Sequence, residues 1–272
     1  MDAQSFLGIE AGAEEGHWLL PVDPSLTTPG QFLFGGCGIA AALVALEAAS
    51  GRPTIWATAQ YLAFAKTDSL VDYEVTLSKV GGHITQARAV GRVDDGEILT
   101  VNAALGGGVE QDGGVWVLPP AVPPPDECPP RRLPSMMDVS IFDRVETRVA
   151  IGAGFEEIGH VPPNPHTALW ARVPGHLEPS AATLAIFGDY LTGAVSQALG
   201  IRSMARSLDN TLRIVQLEPS EWVLCDMHIH AVVDGYAQGL AHLWSESGTF
   251  LGTASQSMNV RPWRDLPGHR PR

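Results

Sequence analysis

A few positions in this 272-residue chain carry side chains and spacings that could do chemistry. His228 and His230 stand two apart in the strand-like run EWVLCDMHIHAVV, so both point to one face while Ile229 and Ala231 point to the other. Such a pair can bind a metal ion. With no third ligand at a readable spacing, however, the expectation is a satisfied polar pair and no metal. Cys37, Cys128 and Cys225 are odd in number and far apart, which supports neither a disulfide framework nor a Cys-x-x-Cys site and fits a reducing cytoplasm. Gly35-Gly36 stands just before the apolar run Cys37 to Ser50 and has two readings. It is either a tight strand-to-helix turn or a helix start whose unpaired N–H groups stabilise a developing anion while glycine admits a substrate. His83 reads as a turn-proximal surface residue, and Asp189 as the N-cap of a second helix, worth roughly 1 kcal/mol.

The elements that must position these residues come in two similar sets. In Leu118 to Pro134, LPPAVPPPDECPPRRLP, 8 of 17 residues are proline, so neither helix nor central strand can continue. The sequence thus divides into residues 1–117, an extended linker 118–134, and residues 135–272. In the first half an Ala- and Leu-rich helix with one charge, Glu47, precedes strand candidates Thr54–Phe64, Val71–Val80, His83–Val93 and Glu97–Gly106. The second half repeats this with a helix over Leu184–Gly200 and strands Ala205–Val215, Glu221–Val233, Tyr236–Glu246 and Thr249–Arg261. Shorter strand candidates, His17–Val22 and His166–Val173, precede the two helices. Gly36 and Gly188 differ by 152 positions, as do Gly96 and Gly248. An internal duplication follows, each copy an antiparallel sheet around an apolar helix, which is α+β in class.

Superposing the copies sets Asp209 opposite Ala59, a spacing of 150, and Gln256 opposite Ala104, a spacing of 152. A requirement of the fold would appear in both copies, so a polar pair found in one favours function. Trp56, Trp170 and Trp244 sit in apolar strands and read as core or interface.

The pattern resembles the double hot-dog acyl-CoA thioesterases of the bacterial acyl-CoA thioesterase II type. The resemblance rests on Phe34-Gly35-Gly36 at the start of an Ala-rich helix, Ser207-Leu208-Asp209, Glu221-Trp222-Val223-Leu224 and GTFLGTASQ over Gly248 to Gln256. It implies a tandem hot-dog fold and hydrolysis of an acyl-CoA substrate without a cofactor. It also implies a catalytic Asp, Thr or Ser, and Gln that hold a water against the thioester. By motif the Asp is Asp209 and the Gln is Gln256. The hydroxyl residue is expected in Asp226 to Gln238, which contains neither Ser nor Thr: either His230 or its neighbour His228 takes that place, or two groups alone hold the water, or this member hydrolyses thioesters poorly. Gly35, Gly36 and Phe34 are the expected substrate-binding residues, and Phe32, Phe34, Leu62 and Phe64 could wall an acyl channel or be core. Two rival readings stay open: a hot-dog enoyl-CoA hydratase or dehydratase, and a non-catalytic acyl-CoA binder.

Composition bounds the partners. Seventeen Lys and Arg against 30 Asp and Glu give a charge of −13, which disfavours nucleic acid and anionic membrane surfaces. The most apolar helix-like stretch, Gly38 to Ser50, has 13 residues, short of the roughly 20 that span a bilayer. A cytoplasmic homodimer is expected. CoA is itself a polyanion, so its phosphates must be met locally, by Arg131, Arg132, Arg202 or Arg206.

Overall fold

In a computed structural model of the chain, residues 1–108, 112–132, 139–175 and 177–263 are described. The first half holds α1 (Ala3–Leu7), β1 (Glu10–Ala11), β2 (His17–Pro21), α2 (Gly35–Ser50), β3 (Thr54–Tyr61), β4 (Leu70–Val80), β5 (Ile84–Val93) and β6 (Gly96–Gly106). The second holds α3 (Ile141–Arg144), β7 (Glu146–Ile151), β8 (His166–Arg172), α4 (Ala181–Gly188) and α5 (Leu191–Leu199). It ends with β9 (Ser203–Ser207), β10 (Asp209–Ile214), β11 (Val223–Val233), β12 (Tyr236–Ser245) and β13 (Phe250–Pro262).

The strands form one antiparallel sheet in the order β1-β2-β4-β5-β6-β3-β10-β13-β12-β11-β8-β7, with β9 also on β13. Read outward from the middle, the two halves have the same order, and they meet where β3 pairs with its counterpart β10. At that joint Thr58 is opposite Thr211, with their hydroxyl oxygens 2.8 Å apart. This is the double hot-dog α+β architecture. The strand edge that each repeat would otherwise expose is covered by the other repeat, so pairing of that edge needs no second chain.

The helices form because their sequences offer nothing to solvate. Ala and Leu give α2 high helix propensity and an apolar circumference, so most of it is buried, and Gly51 ends it in the left-handed conformation at φ 64°. The two central helices pack closely at Gly36, where a Cβ would lie 2.8 Å from Ile186 Cα, a contact with backbone that cannot yield. The hairpin turns fall where the sequence placed them, with positive φ at Asp94 and at Asp234-Gly235.

The opposite face of the second repeat's sheet carries a separate apolar cluster that includes Trp170, Trp222, Trp244 and Cys128. The proline-rich segment covers it: Trp170 Nε1–H donates to the Pro123 carbonyl at 3.0 Å, and Arg131 N–H donates to Thr147 O at 2.8 Å. Pro134 lies outside the described residues. No helix among the described residues is long and apolar enough to cross a membrane.

Candidate active site

The second central helix is interrupted, and the interruption builds the site. The sequence reads Leu184–Gly200 as one helix capped by Asp189; instead α4 stops at Gly188 and α5 starts at Leu191. Across the break, Tyr190 N–H donates to Phe187 O at 3.2 Å and Gly193 N–H to Tyr190 O at 2.9 Å, the tighter i to i−3 pattern of a 3₁₀ turn. Asp189 therefore closes α4 rather than capping α5, and Ser180 is the residue that caps α4, accepting from Thr183 N–H at 3.1 Å. The N-cap expectation fails because the Asp189 carboxylate is turned into the protein, 2% exposed, toward partners from other elements.

Those partners come from both repeats. Gly36 N–H, in the first turn of α2, donates to Asp189 Oδ2 at 2.8 Å. Gln256 Nε2–H from β13 donates to Oδ1, the hydroxyl of Ser207 at the end of β9 reaches Oδ1 at 3.3 Å, and Asn210 Nδ2 lies 3.5 Å from it. Gln256 Nε2 is also 3.4 Å from Ser207 Oγ. Burial pushes the Asp189 pKa up to about 6, against the pull of the hydrogen bonds from Gln256, Gly36, Ser207 and Asn210. A carboxylate poised there is ionised at neutral pH yet basic enough to take a proton.

Two buried polar atoms, Gln256 Oε1 and Tyr61 Oη, have no hydrogen-bond partner among the described residues. Tyr61 Oη and Asp189 Oδ2 each lie 2.9 Å from the point where a Gly35 Cβ would sit, so glycine keeps both groups accessible. Asp189, Ser207 and Tyr61 line a cavity of about 730 Å³. Phe32, Phe34, Leu62 and Phe64 line it as well, so all four aromatic and aliphatic candidates belong to its wall. Arg131, Arg206 and Arg261 bring positive charge to the same cavity.

The residues singled out in sequence scatter. Gln256 is 3% exposed and lies at the centre, but its partner is Asp189. Asp209 opens β10 and its carboxylate accepts Ser257 N–H at 2.6 Å, the backbone beside Gln256 rather than the Gln256 side chain. Asp226 to Gln238 holds neither Ser nor Thr, and the hydroxyl that reaches Asp189 Oδ1 is that of Ser207 in the Ser-Leu-Asp motif, at 3.3 Å. His230 is exposed near the end of β11, at the bulge between Ile229 and Ala231. His228 lies on the sheet face turned away from the helices. Phe34 and Gly35 line the cavity, whereas the Gly36 N–H is already committed to Asp189. Asp189 stands out in sequence, although its partner Ser207 does not. Asp189 is the lone charge in Leu184–Gly200, and the repeat spacing of 152 sets it opposite Cys37.

A family model described as the acyl-CoA thioesterase C-terminal domain matches residues 125–260. No curated protein sequence matches the chain. Among solved structures, a provisionally assigned thioesterase from Novosphingobium aromaticivorans is 34% identical, with 92% of this chain and 98% of that one covered at a TM-score of 0.83. A hot-dog protein of unknown function from Alicyclobacillus acidocaldarius aligns at 17% identity over 93% of this chain and 96% of that one, TM-score 0.81. The acyl-CoA thioesterase II TesB2 of Mycobacterium marinum aligns at 17% identity over 98% and 100%, TM-score 0.75. The last two likenesses speak for the fold.

Proposed function

Because this chain belongs to the acyl-CoA thioesterase family, we propose that it hydrolyses acyl-CoA to the carboxylic acid and free CoA at Asp189, Ser207 and Gln256. The observation that carries this reading is the buried Asp189 carboxylate, bonded by Ser207 and Gln256 and opening on an apolar cavity. These residue types are the Asp, hydroxyl and Gln that the family resemblance implies, with Asp189 and Ser207 in place of Asp209 and a histidine.

Asp189 accepts a proton from a water that Ser207 Oγ and Gln256 Oε1 orient. The water oxygen bonds to the thioester carbon, the carbonyl oxygen takes up negative charge, and the carbon–sulfur bond then breaks. The departing CoA thiolate recovers the proton, so the products are acid and thiol and Asp189 returns to its ionised form. The oxyanion is met by donors around Gly35: the first-turn backbone of α2 and the Tyr61 hydroxyl, which has no other partner among the described residues. Phe32, Phe34, Leu62 and Phe64 receive the acyl chain. The exposed Arg206 and Arg261 meet the CoA phosphates at the cavity, which leaves the overall charge of −13 no obstacle.

The test is thiol release across acyl-CoAs of graded chain length, with Asp189→Asn as the inactive control. Saturable binding with no thiol released from any of them would favour the non-catalytic binder instead.

A further inference from the structure

The sheet face opposite the central helices carries a cluster with no part in the hydrolysis. On β8 and β11, His166 pairs directly across from His228, and their rings stack with centroids 4.2 Å apart at 13°. Asp226, two residues before His228 on the same face and 6% exposed, reaches both: its Oδ1 lies 2.7 Å from His166 Nε2 and 3.3 Å from His228 Nε2. The three donor atoms lie within 4.8 Å of one another. From the geometry we infer that His166, Asp226 and His228 form a binding site for one divalent first-row transition ion, with Zn²⁺ as its natural probe.

The chemistry of the donors decides the class of ion. Two imidazole nitrogens and one carboxylate oxygen suit Zn²⁺, Co²⁺ or Ni²⁺, whereas Mg²⁺ and Ca²⁺ prefer oxygen throughout. Zn–N and Zn–O bonds of about 2.0–2.2 Å set tetrahedral ligands a little over 3 Å apart, close to the spacings already present. A buried carboxylate also calls for a positive partner, since an isolated buried charge is costly. His166 and His228 are 32% and 40% exposed, so an ion can enter from solvent and keep a water in its fourth position. Sequence spacing hides the site: the second histidine, His166, arrives beside His228 from 62 positions away by strand pairing, and His230 is not used. Bound there, the ion would fasten β8 to β11 on the face remote from Asp189, so its loss would change stability before chemistry.

Chelator-dialysed, untagged protein is titrated with Zn²⁺ against a chromophoric chelator, and Co²⁺ uptake is followed by its visible absorption. One ion per chain is expected, with a raised unfolding temperature in Zn²⁺ and affinity weakened at least tenfold in both Asp226→Asn and His166→Gln. His17→Gln, which breaks a His–Asp pair with Asp72 at 3.0 Å in the other repeat, away from the three converging donors, should leave uptake unchanged. Should Asp226→Asn fail to fold, the partly exposed His166→Gln carries the test alone. No uptake, or uptake equal in wild type and His166→Gln, would overturn the site. Because none of these readouts is thiol release, its failure and that of the proposed hydrolysis are separable.

Discussion

Gln256 donates its side-chain amide to the carboxylate of Asp189, 67 positions earlier in the chain and buried at a break in a helix. That bond joins the last long strand of the sheet to the second central helix, and the other carboxylate oxygen joins the same point to the first helix through Gly36.

Removing the charge at Asp189 should remove the chemistry. Asp189→Asn keeps the size of the side chain and is expected to lower kcat/KM about 10²–10⁴-fold, the range of general-base contributions. Asp209→Ala loses an acceptor for Ser257 N–H, costing about 1 kcal/mol of stability, and should retain hydrolysis. Thiol release and urea unfolding on both variants separate the two carboxylates; an inactive, well-folded Asp209→Ala would return the role to that residue.

Activity should follow the ionisation of Asp189. With its pKa raised to about 6, kcat/KM is expected at a plateau above neutrality and to fall about tenfold per pH unit below 6. Stability runs the other way. A raised carboxylate pKa favours the folded state below the unfolded value near 3.8, and that contribution is lost as pH rises through about 6. Wild type minus Asp189→Asn, in unfolding free energy from pH 4 to 7, should therefore decline with pH.

Tyr61→Phe removes one hydroxyl that has no other partner among the described residues. A loss of about 10²-fold in kcat at unchanged unfolding midpoint is expected if it meets the oxyanion. Unchanged turnover would leave that task to the α2 backbone.

Gly36→Ala would set a methyl 2.8 Å from Ile186 Cα and 2.9 Å from Ala185 O. Overpacking against backbone costs about 1–3 kcal/mol. Since the same residue holds Asp189 Oδ2, turnover should drop together with the urea midpoint.

The duplicated plan was legible because its signals are local. An Ala-rich run such as Gly35–Ser50 can only be a buried helix, and turns such as Asp94 and Asp234-Gly235 announce hairpins from two or three residues. Gln256 was legible as a polar residue in an apolar strand. Asp189 was not, because its meaning depends on a 3₁₀ turn inside an apolar helix and on a glycine 153 positions earlier. Ser207 was overshadowed by its neighbour: Ser-Leu-Asp drew attention to the carboxylate, while the split between β9 and β10 at Leu208 sends Ser207 to Asp189 and Asp209 to Ser257 N–H.

The joint between β3 and β10 also bears on how the protein is made. During synthesis the first repeat emerges first, and until β10 leaves the ribosome β3 presents a bare row of amides and carbonyls. At a translation rate of about 5–20 residues per second that interval lasts several seconds or longer. For that time two nascent chains could join through β3 as a domain-swapped pair, and the proline-rich segment, by holding the halves at short tether, favours closure within one chain over joining between two.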